Sequence, residues 1–130
     1  FRDPNLKALE NIIKWFVYDE SLFGDNLQEI LHERYNELMR PEVKRSYLHR
    51  FPAVREEVWI PPSALRRMTN PILLMHGMED RFVSLESSMS LLKHLPNAQL
   101  HIFKQCGHWI QIEKREQFIE LVKSFLEGRI

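Results

Sequence analysis

The alternation of apolar and polar positions divides the chain into a helical first segment and a mixed second one. Leu6, Leu9, Ile12, Ile13, Phe16 and Val17 recur at helical spacing, with Lys7, Glu10 and Lys14 turned away. Asp3-Pro4 reads as the start of that helix, the acid as N-cap and the proline at the first helical position. Tyr18-Asp19-Glu20-Ser21 interrupts the pattern. Asp25 is then expected to cap a second amphipathic helix that carries Leu27, Ile30, Leu31, Tyr35 and Leu38 and runs to Arg40. Pro41 should open a third, with Val43, Tyr47 and Leu48 on one side. Residues 1–50 predict helix throughout.

From Phe51 to Asn70 the character changes. Pro52, Pro61 and Pro62 break regular structure, and Pro62 to Leu65 hold at most one short helix. This stretch reads as a connection, residues 51–70, leading into residues 71–130. There Pro71 stands at the entry to a strand, Ile72-Leu73-Leu74-Met75. A helix follows from Ser84 or Leu85 to His94, with Met89, Leu91, Leu92 and Leu95 expected to face inward. A second strand covers about residues 98–103, and a last helix about 114–127 presents Phe118, Leu121, Val122 and Phe125, with Gly128 after its end. A run apolar on both faces, such as Ile72 to Met75, is the mark of a central parallel strand. Such a strand needs neighbours on both edges, and one at most is in view. The expectation is an α/β fold, of which this is the C-terminal part, with further strands lying before Phe1.

Composition narrows the function. The 18 basic and 18 acidic residues cancel, which argues against a nucleic-acid partner. No apolar run approaches the roughly 20 residues of a membrane span. A single cysteine, Cys106, excludes an intrachain disulfide and makes a cytoplasmic setting the default. The chain begins at Phe1 without Met or signal peptide, as the middle of a longer protein would.

The chemistry sits at the strand ends. Asp80 follows the first strand and His108 the second, and reactive groups in parallel sheets gather outside the carboxyl ends. An Asp that orients a His, which in turn deprotonates a nucleophile, is the working part of a Ser–His–Asp triad. The order Asp then His is that of α/β-hydrolases. Taken alone, Asp80 reads equally as a loop acid capping the next helix, and His108 as a solvent-facing side chain. Gly107 before His108 permits a tight loop backbone. Trp109 reads as a pocket wall or as core filling, and Cys106 as a small buried residue. Phe16, Trp15 and Phe23 alternate between pocket and core. His32, His49, His76, His94 and His101 show no metal-ligand spacing, so no metal or other cofactor is expected. No G-x-S-x-G elbow occurs, so the nucleophile is expected outside this chain, and the 130 residues alone should be inactive.

Cys106-Gly107-His108-Trp109-Ile110-Gln111-Ile112-Glu113 and Gly77-x-x-Asp80-Arg81-Phe82-Val83 resemble the C-terminal half of the meta-cleavage product hydrolases. Ser84 departs from that pattern, where these proteins usually have Pro. The stretch from Val17 to Leu38 is similar to their helical lid. The resemblance implies an α/β-hydrolase fold with a lid over residues 1–50. It also implies hydrolysis of a carbon–carbon bond in 2-hydroxy-6-oxo-dienoates such as 2-hydroxymuconic semialdehyde, products of aromatic degradation. In that scheme His108 shuttles protons, Asp80 orients it, a Ser elsewhere is nucleophile or activator, Arg34 clamps the substrate carboxylate and Trp109 lines the pocket. From the residues alone, Arg34 also reads as an exposed helix side chain paired with Glu33 or Glu37. An esterase using the same Asp and His, and a non-catalytic fragment or interaction module, remain the alternatives. Oligomeric state stays open, a homo-oligomer included.

Overall fold

The computed structural model describes residues 5–46 and 60–130. They form two compact units. Residues 5–12, 23–46 and 60 make up one, and residues 13–22 and 61–130 the other.

The first unit is helical. Helix α1 spans Leu6–Phe16 and gives its residues 6–12 to this unit and 13–16 to the second. Its side-chain cap is Asn5, whose Oδ1 accepts the Ala8 N–H at 2.8 Å. The Asp3-Pro4 start lies outside the described residues. Two short 3₁₀ turns within Glu20–Asn26, separated by a kink at Gly24, precede α2, Leu27–Met39; the N-cap position falls on Asn26 and carries no side-chain cap bond. The expected Asp25 cap is therefore corrected: the preceding 3₁₀ turn occupies the place of a capping loop. Gly24 lies at φ 49°, the conformation that lets one turn pass into the next. Leu31 is buried on α2 and Arg40 closes the helix, held between Glu37 and Glu42. Residues 41–46, α3, are helical as Pro41 predicted, while Tyr47 and Leu48 lie outside the described residues.

The second unit is α/β. Helix α4, Pro62–Leu65, is the short helix the proline pair allowed. Strand β1, Ile72–Gly77, pairs in parallel with β2, Ala98–Phe103, in register from Ile72–Ala98 to Gly77–Phe103. Helix α5, Leu85–His94, makes the crossover. Leu91 and Leu92 are half-buried as expected, but Met89 is 41% exposed, a correction to its inward placement. A four-residue helix α6, Ile110–Glu113, precedes α7, Arg115–Leu126. The last helix expected over about 114–127 is observed as α7; α6 ahead of it is a further short turn of helix that the sequence reading did not include, and the two are separated at Lys114, whose φ −127° and ψ 40° are not helical. Phe103, Cys106 and Ile110 form a core against Met75, Phe118 and Leu121, joining the end of β2 to both helices. β1 is half-buried from Ile72 to Met75 and has one partner strand among the described residues. Among these residues no helix is long and apolar enough to cross a membrane.

Ser84, just before α5, has φ −72° and ψ 145°, and its side chain makes no cap bond to the helix. That φ lies in proline's range, and the Ser84 carbonyl that accepts the Ser87 N–H would survive the change. Ser84→Pro should therefore stabilise the fold by about 0.4–1 kcal/mol through the unfolded chain. Thermal unfolding of the two proteins side by side should show a midpoint raised by about 1–4 °C. A lowered midpoint would mean that the N–H of residue 84, or the Ser84 hydroxyl that bonds the Glu86 carboxylate, is needed.

Candidate active site

The two strand ends carry two loops that touch. Met78 N–H donates to the Phe103 carbonyl at 2.8 Å, extending the β1–β2 pairing past the strands. Glu79 and Cys106 are tied twice: the Glu79 N–H donates to the Cys106 carbonyl at 3.0 Å, and the Cys106 N–H donates to Glu79 Oε2 at 3.0 Å. The approach is close because Gly77 has no side chain. A Cβ there would stand 2.0 Å from the Gly107 carbonyl oxygen and 2.4 Å from that of Cys106. Gly107 matters for the same reason. Its Cβ would lie 2.7 Å from the Phe16 carbonyl oxygen and 2.9 Å from the Tyr18 nitrogen. Positive φ values occur at Gly24, Gly128 and Gln105 among the described residues. Gly107 thus serves close packing and not an unusual loop conformation, which corrects the sequence reading.

Within this frame Asp80 and His108 meet. Asp80 Oδ2 lies 2.8 Å from His108 Nδ1, and Asp80 Oδ1 accepts the N–H groups of Phe82 at 2.8 Å and Val83 at 2.9 Å. The Asp80 side chain is 5% exposed and that of His108 34%. Burial, the largest single influence, pushes the Asp80 carboxyl up. The N–H of Val83, the His108 ring and the N–H of Phe82 together outweigh it and hold the group below the usual carboxylate range. Its stabilising contribution is therefore complete above the unfolded carboxyl's pKa of about 3.9. It is lost as pH falls through the lower folded value. A carboxylate on Nδ1 makes that nitrogen the N–H donor, so Nε2 is left as an acceptor. Nε2 has no hydrogen-bond partner among the described residues, and the ring reaches solvent. The arrangement can take a proton at Nε2 while the buried carboxylate stabilises the imidazolium that forms.

The imidazole packs against two rings that also meet each other edge-on, Phe16 and Phe82, with centroids 5.1 Å apart. Phe16 stacks on it at 5.1 Å with planes 29° apart, and Phe82 tilts against it at 5.2 Å. Phe16 also packs on Trp109 at 5.1 Å, and its carbonyl accepts both the His108 N–H at 2.7 Å and the Trp109 N–H at 3.1 Å. Trp109 is half-buried here, Trp15 is 58% exposed, and Phe23 is buried in the first unit. Cys106 is fully buried; burial first, then the Glu113 charge, pushes its thiol up to about 12, which removes it as a nucleophile near neutral pH.

Asp80, His108 and Trp109 belong to the second unit and Arg34 to the first. Arg34 is exposed on α2 and pairs with no acid among the described residues, Glu37 being taken by Arg40. The sequence reading missed the supporting residues. His76, 5% exposed on β1, donates from Nε2 to the Val83 carbonyl at 3.1 Å and meets Ser88 Oγ with Nδ1 at 2.8 Å, fixing the Asp80 loop to α5. Glu79, Glu113 and the Phe16 carbonyl fix the His108 loop. The motifs around Asp80 and His108 contain Glu79 and Glu113, but nothing in their spacing tells which backbone N–H each would reach.

A parallel strand pair with this Asp and His on adjoining loops is an α/β-hydrolase arrangement, and the alpha/beta hydrolase fold family matches residues 5–115. The chain belongs to that family. Its relatives are narrower in chemistry. It is 38% identical over 127 residues to the 2-hydroxymuconate semialdehyde hydrolase of Pseudomonas putida, an alignment covering 95% of this chain and 44% of that protein. Among solved structures it superposes on a serine hydrolase from the polyaromatic hydrocarbon-degrading bacterium Cycloclasticus zankles with a TM-score of 0.94 at 34% identity, covering 99% of this chain and 47% of that one. It also superposes on the 2-hydroxy-6-oxo-6-phenylhexa-2,4-dienoate hydrolase of a Rhodococcus species with a TM-score of 0.88 at 33% identity, covering 97% and 46%. The chain spans less than half the length of these relatives.

Proposed function

We propose that this chain is the lid and C-terminal portion of a longer α/β-hydrolase that cleaves a carbon–carbon bond in meta-cleavage products, the 2-hydroxy-6-oxo-dienoates. The observation that carries the reading is the 2.8 Å bond from a buried, ionised Asp80 to His108 Nδ1, which leaves Nε2 poised as a base. The names of the relatives support the substrate class. His108 moves the protons of ketonisation and hydrolysis, and Asp80 holds its tautomer. A serine on an elbow outside this chain is the nucleophile or its activator. Trp109 lines the pocket beside His108, residues 1–50 act as the lid, and Arg34 holds the substrate carboxylate with its planar two-pronged guanidinium. No cofactor takes part. The setting is cytoplasmic.

The test uses the full-length protein and a series of 2-hydroxy-6-oxo-dienoates, following loss of the coloured dienolate. Cleavage to a 2-hydroxypenta-2,4-dienoate and a carboxylic acid is expected, and the isolated 130 residues should give none. Turnover by the isolated chain, or hydrolysis of simple esters with no dienoate cleavage by the full protein, would overturn the proposal. Arg34→Ala should cost about 1.5–3 kcal/mol of substrate binding, the worth of a hydrogen bond to a charged group. It should appear as a KM raised about 10- to 100-fold, with kcat lowered too if the clamp tightens in the transition state. Unchanged kinetics would remove Arg34 from the site.

A further inference from the structure

We propose that Glu113 is a positioning residue whose carboxylate staples the His108 loop to the segment that follows α1. It thereby holds the imidazole against Asp80. Glu113 Oε1 accepts the Tyr18 N–H at 2.6 Å and reaches the Asp19 N–H at 3.4 Å. Its Oε2 accepts the Gly107 N–H at 2.6 Å, with the Cys106 thiol at 3.8 Å. The short bonds from N–H groups to an ionised carboxylate are the stronger kind.

The two segments it joins are the two that hold His108. Gly107 immediately precedes the histidine. Phe16, two residues before Tyr18, accepts the backbone N–H of His108 and lays its ring on the imidazole. Gly107 lies so near the backbone of residues 16–18 that no side chain fits between them. The partners of the Glu113 carboxylate are three backbone N–H groups and the Cys106 thiol, and the imidazole is not among them. It acts through the backbone on both sides of the ring. Only a carboxylate suits this place, because each oxygen faces N–H donors from a different segment. A glutamine would turn its NH₂ toward one set of donors and satisfy the other alone.

The inference rests on the proposed role of His108 as proton shuttle. Its test therefore includes a reading that needs no substrate. In the full-length protein, Glu113→Gln should lower kcat for dienoate cleavage about 10- to 100-fold, as expected of a misplaced catalytic group. KM should stay within about twofold, since no substrate contact is lost. The strongly downfield proton resonance of the Asp80–His108 bond should shift or broaden away while unfolding remains cooperative. Glu113→Asp keeps the charge but is one methylene shorter and reaches one segment only, so it should fail to rescue either reading. If the wild-type protein cleaves no dienoate, the proposed reaction fails, and the resonance in wild type and variant still decides the role of Glu113. A folded Gln variant with wild-type kcat and resonance would overturn the inference. So would a loss confined to the melting temperature, or failure of both variants to fold, since the staple would then belong to the fold alone.

Discussion

If the proposed reaction holds, replacing His108 with alanine in the full-length protein is expected to lower kcat for dienoate cleavage at least about a thousandfold, or roughly 4 kcal/mol of transition-state stabilisation. The side chain is one-third exposed and outside the Phe103–Cys106–Ile110 core, so thermal unfolding should change little by comparison. Asp80→Asn should lower kcat about 10²–10⁴-fold, the range general acid–base groups supply. The geometry gives the reason. Oδ1 of Asp80 accepts two backbone N–H groups, which forces an asparagine to keep its carbonyl oxygen there. Its NH₂ then faces His108 Nδ1, which must become an acceptor. The proton moves to Nε2, and the nitrogen that should act as base is occupied. Substrate binding should persist, since neither atom of the exchanged group faces solvent. The decisive measurement is kcat beside the unfolding midpoint for both variants. A folded His108→Ala protein that retains more than about a tenth of wild-type kcat would sink the proton-shuttle role.

Gly77→Ala is expected to be the most damaging single change to the fold. The added Cβ would lie 2.0 Å and 2.4 Å from two backbone carbonyl oxygens and 2.9 Å from a carbonyl carbon. None of these is the end of a flexible side chain, so relief requires the two loops to separate. Separation breaks the double Glu79–Cys106 tie and draws Asp80 from His108. Overpacking in a well-packed core costs about 1–3 kcal/mol, and backbone displacement with lost hydrogen bonds adds to that. An unfolding midpoint lower by roughly 10 °C, or an insoluble product, is expected. A midpoint within a degree or two of wild type, with activity kept, would show that the loops do not approach as described.

Periodicity was enough to locate α1, α2, α5 and both strands, because each buries one face or one run and the apolar spacing records it. Where the sequence reading erred, the spacing of apolar residues along one element did not carry the outcome. Asp25 is a favoured capping residue, yet the 3₁₀ turn ahead of α2 leaves it no capping position. The short helix α6 ahead of α7 has too few residues to show a period, and its last residue, Glu113, is bonded to the backbone of residues 18, 19 and 107. Met89 falls on the apolar stripe of α5 and is nonetheless exposed.

By itself, then, the sequence determined the class of fold, the pairing of an acid and a histidine at successive strand ends, and the resemblance to a hydrolase family. Residue type and spacing along one element carry that information. Tertiary structure alone decided how the pair is held. His76 anchors the acid's loop to α5, Glu79 ties that loop to the histidine's, and the Phe16 carbonyl with Glu113 closes the far side. Apart from the His76–Ser88 contact, those are bonds to backbone groups, several of them more than 90 residues away in sequence. A backbone N–H is the same at every residue, so no pattern of side chains can announce which one a carboxylate will reach.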